Sequence, residues 1–146
     1  MGCDIHGYVE AQLFAQNKIS DDWYPVINAE NILGRNYDMF AKLFGVRLET
    51  VEQRSGQKVI PIAAQRGLPE YGRYQKDSPN GTVKEYNEWE GDAHSVTWIS
   101  LKELRSAIQD NGNFSDDRLE VLLDMMLELI KLYGEDHIRL VVWFDN

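Results

Sequence analysis

Residues 138–144, Ile-Arg-Leu-Val-Val-Trp-Phe, form a nearly unbroken apolar run. A strand that is apolar at consecutive positions shows hydrophobic groups to both faces of its sheet, so it must be covered on both. The run predicts a central strand, and the rest of the chain must supply neighbours and cover.

Strand neighbours are readable nearer the N-terminus. Ile5, Tyr8, Val9, Leu13 and Phe14 give residues 5–14 β-favouring bulk. Asn17 to Asp22 is polar and turn-like, and residues 23–27 form a second strand with Pro25 at an edge or strand end. An N-terminal hairpin follows. Residues 95–99 predict a further short strand.

Helical cover comes from three segments. Tyr37, Phe40, Ala41 and Phe44 share helical spacing within residues 35–44, and Gly45 is a suitable stop. Ser100-Leu101-Lys102-Glu103 is a capping box, predicting a helix to about Gln109. Ser115 is placed to cap a third helix, with Asp116 and Asp117 favourable beside its N-terminal dipole. In that helix Leu119, Leu122, Leu123, Met126, Ile130 and Tyr133 make one apolar face, widened by Val121, Met125 and Leu129, and Gly134 ends it. Its methionines read as core filler. Residues 46–90 hold three of the four prolines and little periodicity, predicting a long irregular loop of the kind that is functional or mobile. The sum is a single α+β domain: a mostly antiparallel sheet including the N- and C-terminal strands, packed by about three helices.

The 146 residues suffice for one hydrophobic core, and 43% hydrophobic with 27% charged content fits a globular protein. No apolar stretch approaches the roughly 18 residues of a membrane span, and no signal peptide is visible. Cys3, the only cysteine, excludes an intrachain disulfide and fits a reducing cytosol. A net charge of −9 disfavours direct nucleic-acid binding. The same acidity would suit a protein that imitates DNA.

The frame Asp-x-His occurs twice, as Asp4-Ile5-His6 and Asp92-Ala93-His94, in a chain with three histidines. Such a pair projects from one face of a strand. If the pairs meet, Asp4, His6, Asp92 and His94 form a donor set for a divalent metal such as zinc or manganese. If they do not, each histidine is a polar residue near a strand end, bonded to its neighbours. Cys3 with His6 is a conceivable nucleophilic pair, although regular strand geometry separates them.

Arg35, Arg47, Arg66 and Arg73 lie on predicted loops or helix starts, Arg66 within Arg66-Gly67-Leu68-Pro69. Guanidinium groups so placed suit bidentate phosphate or carboxylate binding, or pairing with surface acids. Tyr37, Trp89 and Trp98 are candidates to stack on a base. His94-Ser95-Val96-Thr97 invites comparison with the His-x-Thr and His-x-Ser repeats of the two-histidine phosphoesterases. The hydroxyls fall at the wrong spacing here, and His6 is followed by Gly7-Tyr8, so that family is not indicated.

The start Met1-Gly2-Cys3-Asp4-Ile5-His6, with Gly34-Arg35-Asn36-Tyr37-Asp38-Met39-Phe40, Val46-Arg47, Arg66-Gly67-Leu68-Pro69, His94-Ser95 and Trp143-Phe144-Asp145-Asn146, resembles a group of small bacteriophage- and prophage-encoded proteins. The resemblance implies an accessory protein in the bacterial host cytoplasm. It carries context rather than a mechanism.

The leading expectation is a protein that binds a small anionic ligand, a nucleotide in particular, through Asp4, His6, Arg35, Tyr37, Arg66, Asp92, His94 and Trp98. One use of such binding is sequestering a host signalling nucleotide. The alternatives are a metal-dependent phosphoester hydrolase liganded by Asp4, His6, Asp92 and His94, and an inhibitor that binds protein through its acidic surface. A homodimer is compatible with each, and nothing in the sequence requires it.

Overall fold

A computed structural model describes residues 2–15, 18–72, 81–110 and 116–146. Four strands, β1 (Ile5–Ala15), β2 (Lys18–Asn28), β3 (His94–Ser100) and β4 (Ile138–Phe144), form one antiparallel sheet in the order β2-β1-β4-β3. The apolar C-terminal run is central as expected, with every residue buried.

Register explains that burial. Opposite residues share a face, so Ile5, Val9 and Ala11 lie on the same side as Phe144, Leu140 and Ile138. This side carries the hydrophobic core, with Phe40, Phe44, Leu119, Leu122 and Met126 from the helices above it. The other side pairs His6 with Trp143, Tyr8 with Val141 and Glu10 with Arg139. It is polar and aromatic, yet Glu10, Arg139 and Trp143 are buried. At Gly7 the strands approach so closely that a β-carbon would lie 1.9 Å from the Val141 carbonyl oxygen, and φ is +144°. Only glycine fits that position.

Helices α1 (Tyr37–Phe44), α4 (Leu101–Arg105) and α5 (Asp117–Tyr133) match the three expected segments with adjusted ends. α1 begins after Asn36, whose side chain accepts from the Met39 amide, so Arg35 precedes the helix rather than opening it. Gly45 ends α1 in the left-handed conformation. The Ser100–Glu103 capping box is formed, and α4 passes into a π turn over Ser106–Asp110. α5 is capped by Asp116, whose side chain accepts from the Leu119 amide. Ser115, the expected cap, lies outside the described residues.

Two expectations are corrected. The described residues contain five helices rather than about three, because α2 (Leu48–Ser55) and α3 (Thr82–Glu88) lie within the stretch read as irregular. The second strand begins at Lys18, so residues 18–22 are strand rather than turn; Asn17 lies outside the described residues. α2 rests on the core by one buried residue, Val51, while α3 belongs to the polar face of the sheet. No helix among the described residues is long and apolar enough to cross a membrane.

Candidate functional site

The eight residues expected to form one site fall into separate groups. Asp4 and Arg35 meet in a bidentate pair, Nε donating to Oδ1 at 2.9 Å and Nη2 to Oδ2 at 3.0 Å. Arg35 holds the Asp4 carboxyl below the ordinary carboxylate range. The Tyr37 hydroxyl accepts from the Cys3 amide at 3.1 Å, which ties the N-terminal segment to α1. Cys3 itself sits in the core, and burial pushes its thiol up despite Arg47 nearby. A neutral buried thiol is a poor nucleophile, so the pairing with His6 gains no support.

His6 and His94 both reach Asp145. His6 Nε2 lies 3.0 Å from Asp145 Oδ2, and His94 Nε2 lies 3.3 Å from the Asp145 carbonyl oxygen. The Asp4 amide donates to Asp145 Oδ1 at 2.9 Å. The two rings nevertheless straddle the end of β4. His6 is register partner of Trp143 and packs on Trp89, with ring centroids 4.3 Å apart, on the polar face. His94 is partner of Phe144 and stacks on it at 6.2 Å, on the core face. Asp92 is exposed on the turn that follows α3. Among the described residues no three His, Cys, Asp or Glu side chains are grouped to hold a metal ion.

Arg66 and Trp98 form a third group. Arg66 donates to Glu103 at 2.7 and 2.9 Å, to the Ile62 carbonyl at 3.0 Å and to the Trp98 carbonyl at 3.2 Å, and lies over the Trp98 ring. Hydrogen bonding to Arg66 and Ser100 pulls Glu103 down to about 2. The group fastens the 62–66 segment to β3 and α4.

The arginines that share a cavity are Arg35, Arg54 and Arg118. With Gly34, Asn36, Tyr37, Asp38, Asp116 and Asp117 they line an open cleft of about 770 Å³. Its frame is built cap to cap: Asn36 caps α1 and donates through Nδ2 to Oδ2 of Asp116, the cap of α5, at 2.7 Å. Two helix N-termini therefore open on one cleft, and their dipoles favour an anion. Glycines make room for the cations. A β-carbon at Gly2 would strike the Arg35 guanidinium at 2.3–2.4 Å, and one at Gly34 would sit 3.2 Å from Arg118 Cδ. Arg54 pairs with Asp38, and Arg118 Nη1 donates to the Ile32 carbonyl at 3.3 Å. Each fork has five N–H donors, so donors remain on all three.

Sequence reasoning chose Arg35 and Tyr37 but missed Arg54 and Arg118, which sit on helices whose turns had to be placed first. It also missed a buried polar network. Glu10 accepts from Arg139 Nε at 2.8 Å, from the Tyr71 hydroxyl at 2.9 Å and from the Thr82 hydroxyl at 2.7 Å. Tyr8 donates to Glu85 of α3. Burial, then the Glu85 hydrogen bond, pushes the Tyr8 hydroxyl up to about 12. Burial and the Glu10 charge push Tyr71 up as well. The available signal was His6-x-Tyr8-x-Glu10-x-Gln12, a polar alternation along one strand face. Comparison with protein-family models, with curated proteins and with solved structures finds no match.

Proposed function

We propose that the chain is an accessory protein of the phage-encoded kind it resembles, and that it binds a small anionic ligand, a nucleotide by class, in the cleft between the starts of α1 and α5. One observation carries the reading: Arg35, Arg54 and Arg118 line the same cleft at two converging helix N-termini. Its volume of about 770 Å³ lies in the range of small-molecule sites. Asp38, Asp116 and Asp117 balance the arginines in the cleft, so an anion must compete for donors already partly engaged. Affinity should therefore weaken with salt. Sequestration without turnover is the use this reading gives.

Calorimetric titration with inorganic phosphate, AMP, ADP and uncharged adenosine tests it. The phosphate compounds should bind and adenosine should not. Arg118→Ala and Arg54→Ala should each weaken binding about tenfold, the loss of one charged hydrogen bond. Absence of binding by every phosphate compound, or affinity unchanged from the parent in both variants, rejects the cleft. Conversion of the nucleotide during incubation rejects sequestration.

A further inference from the structure

The carboxylate that holds Arg35 lies outside the cleft lining. Arg54 pairs with Asp38, which lines the cleft beside it, and Arg118 donates to the neutral Ile32 carbonyl. Arg35 turns instead to the N-terminal segment, where Asp4 fills its fork through both oxygens. That carboxylate is set in place independently of Arg35. The Asp4 amide donates to Asp145 Oδ1 at 2.9 Å, and the Asp4 carbonyl accepts from the Asp145 amide at 3.2 Å. Gly2 completes the seat. A β-carbon there would lie 2.3–2.4 Å from the guanidinium, the far end of a flexible side chain, so a larger residue would push Arg35 off without moving the backbone. Arg35 therefore has a built resting place at the rim of the cleft it lines.

We propose that Asp4 is an internal competitor of the anion cleft: Arg35 rests on Asp4 and swings to the ligand only when the ligand is a phosphomonoester. This rests on the reading of the cleft given above. A singly charged anion gains little at Arg35, because it exchanges one pair of unit charges for another at the same fork. A terminal phosphate carries about −1.5 to −2 charges near pH 7 and has three acceptor oxygens. It can match the bidentate geometry of a carboxylate and exceed its charge. A phosphodiester has the single charge only. Asp4, once released, is left at the surface, where half of its side chain already meets water. Separating an exposed pair costs little, so the exchange is reversible and its direction is set by the charge of the incoming group.

Calorimetric titration with AMP and with cyclic AMP, its singly charged diester, reads the exchange. AMP should bind the parent at least about tenfold more tightly than cyclic AMP. Asp4→Asn keeps the main-chain bonds to Asp145 and removes the charge, and should tighten AMP about tenfold. Gly2→Ala unseats Arg35 with Asp4 intact and should tighten AMP as well. In an Arg35→Ala background the effect of Asp4→Asn should fall below about twofold, since a screened surface charge acts weakly on its own. Three outcomes overturn the proposal and leave the cleft reading standing: AMP binding that depends on Arg118 yet is unchanged or weakened by Asp4→Asn, the full Asp4→Asn effect without Arg35, or equal affinity for cyclic AMP. Failure of AMP and inorganic phosphate to bind the parent and Asp4→Asn alike removes the cleft reading itself, and this inference with it.

Discussion

Glu10–Arg139 and Asp4–Arg35 are the same chemical pair in opposite settings. The first side chains are 0% and 7% exposed, the second both 50%. Glu10 and Arg139 face each other across β1 and β4 in exact register. They hold Tyr71 and Thr82 against the sheet and have little freedom to do anything else. Asp4 and Arg35 sit at the surface beside an open cleft, where water screens them and a ligand can compete. Burial decides whether an ion pair is part of the scaffold or part of a site.

The largest test of that contrast is removal of one buried partner. Arg139→Ala or Glu10→Ala should cost about 3–5 kcal/mol in urea unfolding, because the remaining charge is stranded. The double variant Glu10→Leu/Arg139→Met should regain much of the loss, which a ligand-binding role alone would not predict. If single variants unfold like the parent, the pair is not part of the scaffold.

The Arg66–Glu103 pair lies between the extremes. Glu103 titrates near 4.5 when free and is pulled down to about 2 in the fold. Its stabilisation is therefore fully present above about pH 4.5 and is lost as pH falls toward 2. Glu103→Gln should lack that component of acid destabilisation, seen by comparing unfolding midpoints at pH 5 and pH 2.5. Ser100→Ala, which removes half of the capping box, should cost about 1 kcal/mol at neutral pH.

The smallest effect on stability is expected at the exposed pair. Arg35→Ala should leave the thermal midpoint essentially unchanged while weakening phosphate binding in the cleft. A large stability loss with unchanged phosphate affinity would reverse the roles assigned to the two pairs.

What was legible in the sequence was local. α5 and the central β4 were visible as apolar patterns, and Gly45 and the Ser100 capping box as terminal signals, because each is written within a few residues. α2 and α3 were not, for a physical reason. Their N-caps are Arg47 and Gly81, neither of which makes a side-chain cap hydrogen bond. α2 buries a single residue. Neither helix carries a start signal or a broad apolar face, so both are held by contacts that only the fold supplies. The site divided in the same way. Arg35 and Tyr37 were visible from their place at a helix start. The convergence of Arg54 and Arg118 on that point depends on packing. Glu10 and Arg139 are 129 positions apart and meet only through strand register, which a shift of one residue would undo.

The sheet order also constrains how the molecule is made. β1 forms with β2 a hairpin that can pair early, but its other edge waits for β4, the last strand in chain order. Among the described strands, β3 pairs with β4 alone. During synthesis, then, a bare backbone edge of β1 stays open until β4 has emerged, and open edges recruit other chains. Closure through so distant a pairing is slow. A chain halted before β4 should be captured by chaperones or lost to aggregates rather than persist as a smaller native unit.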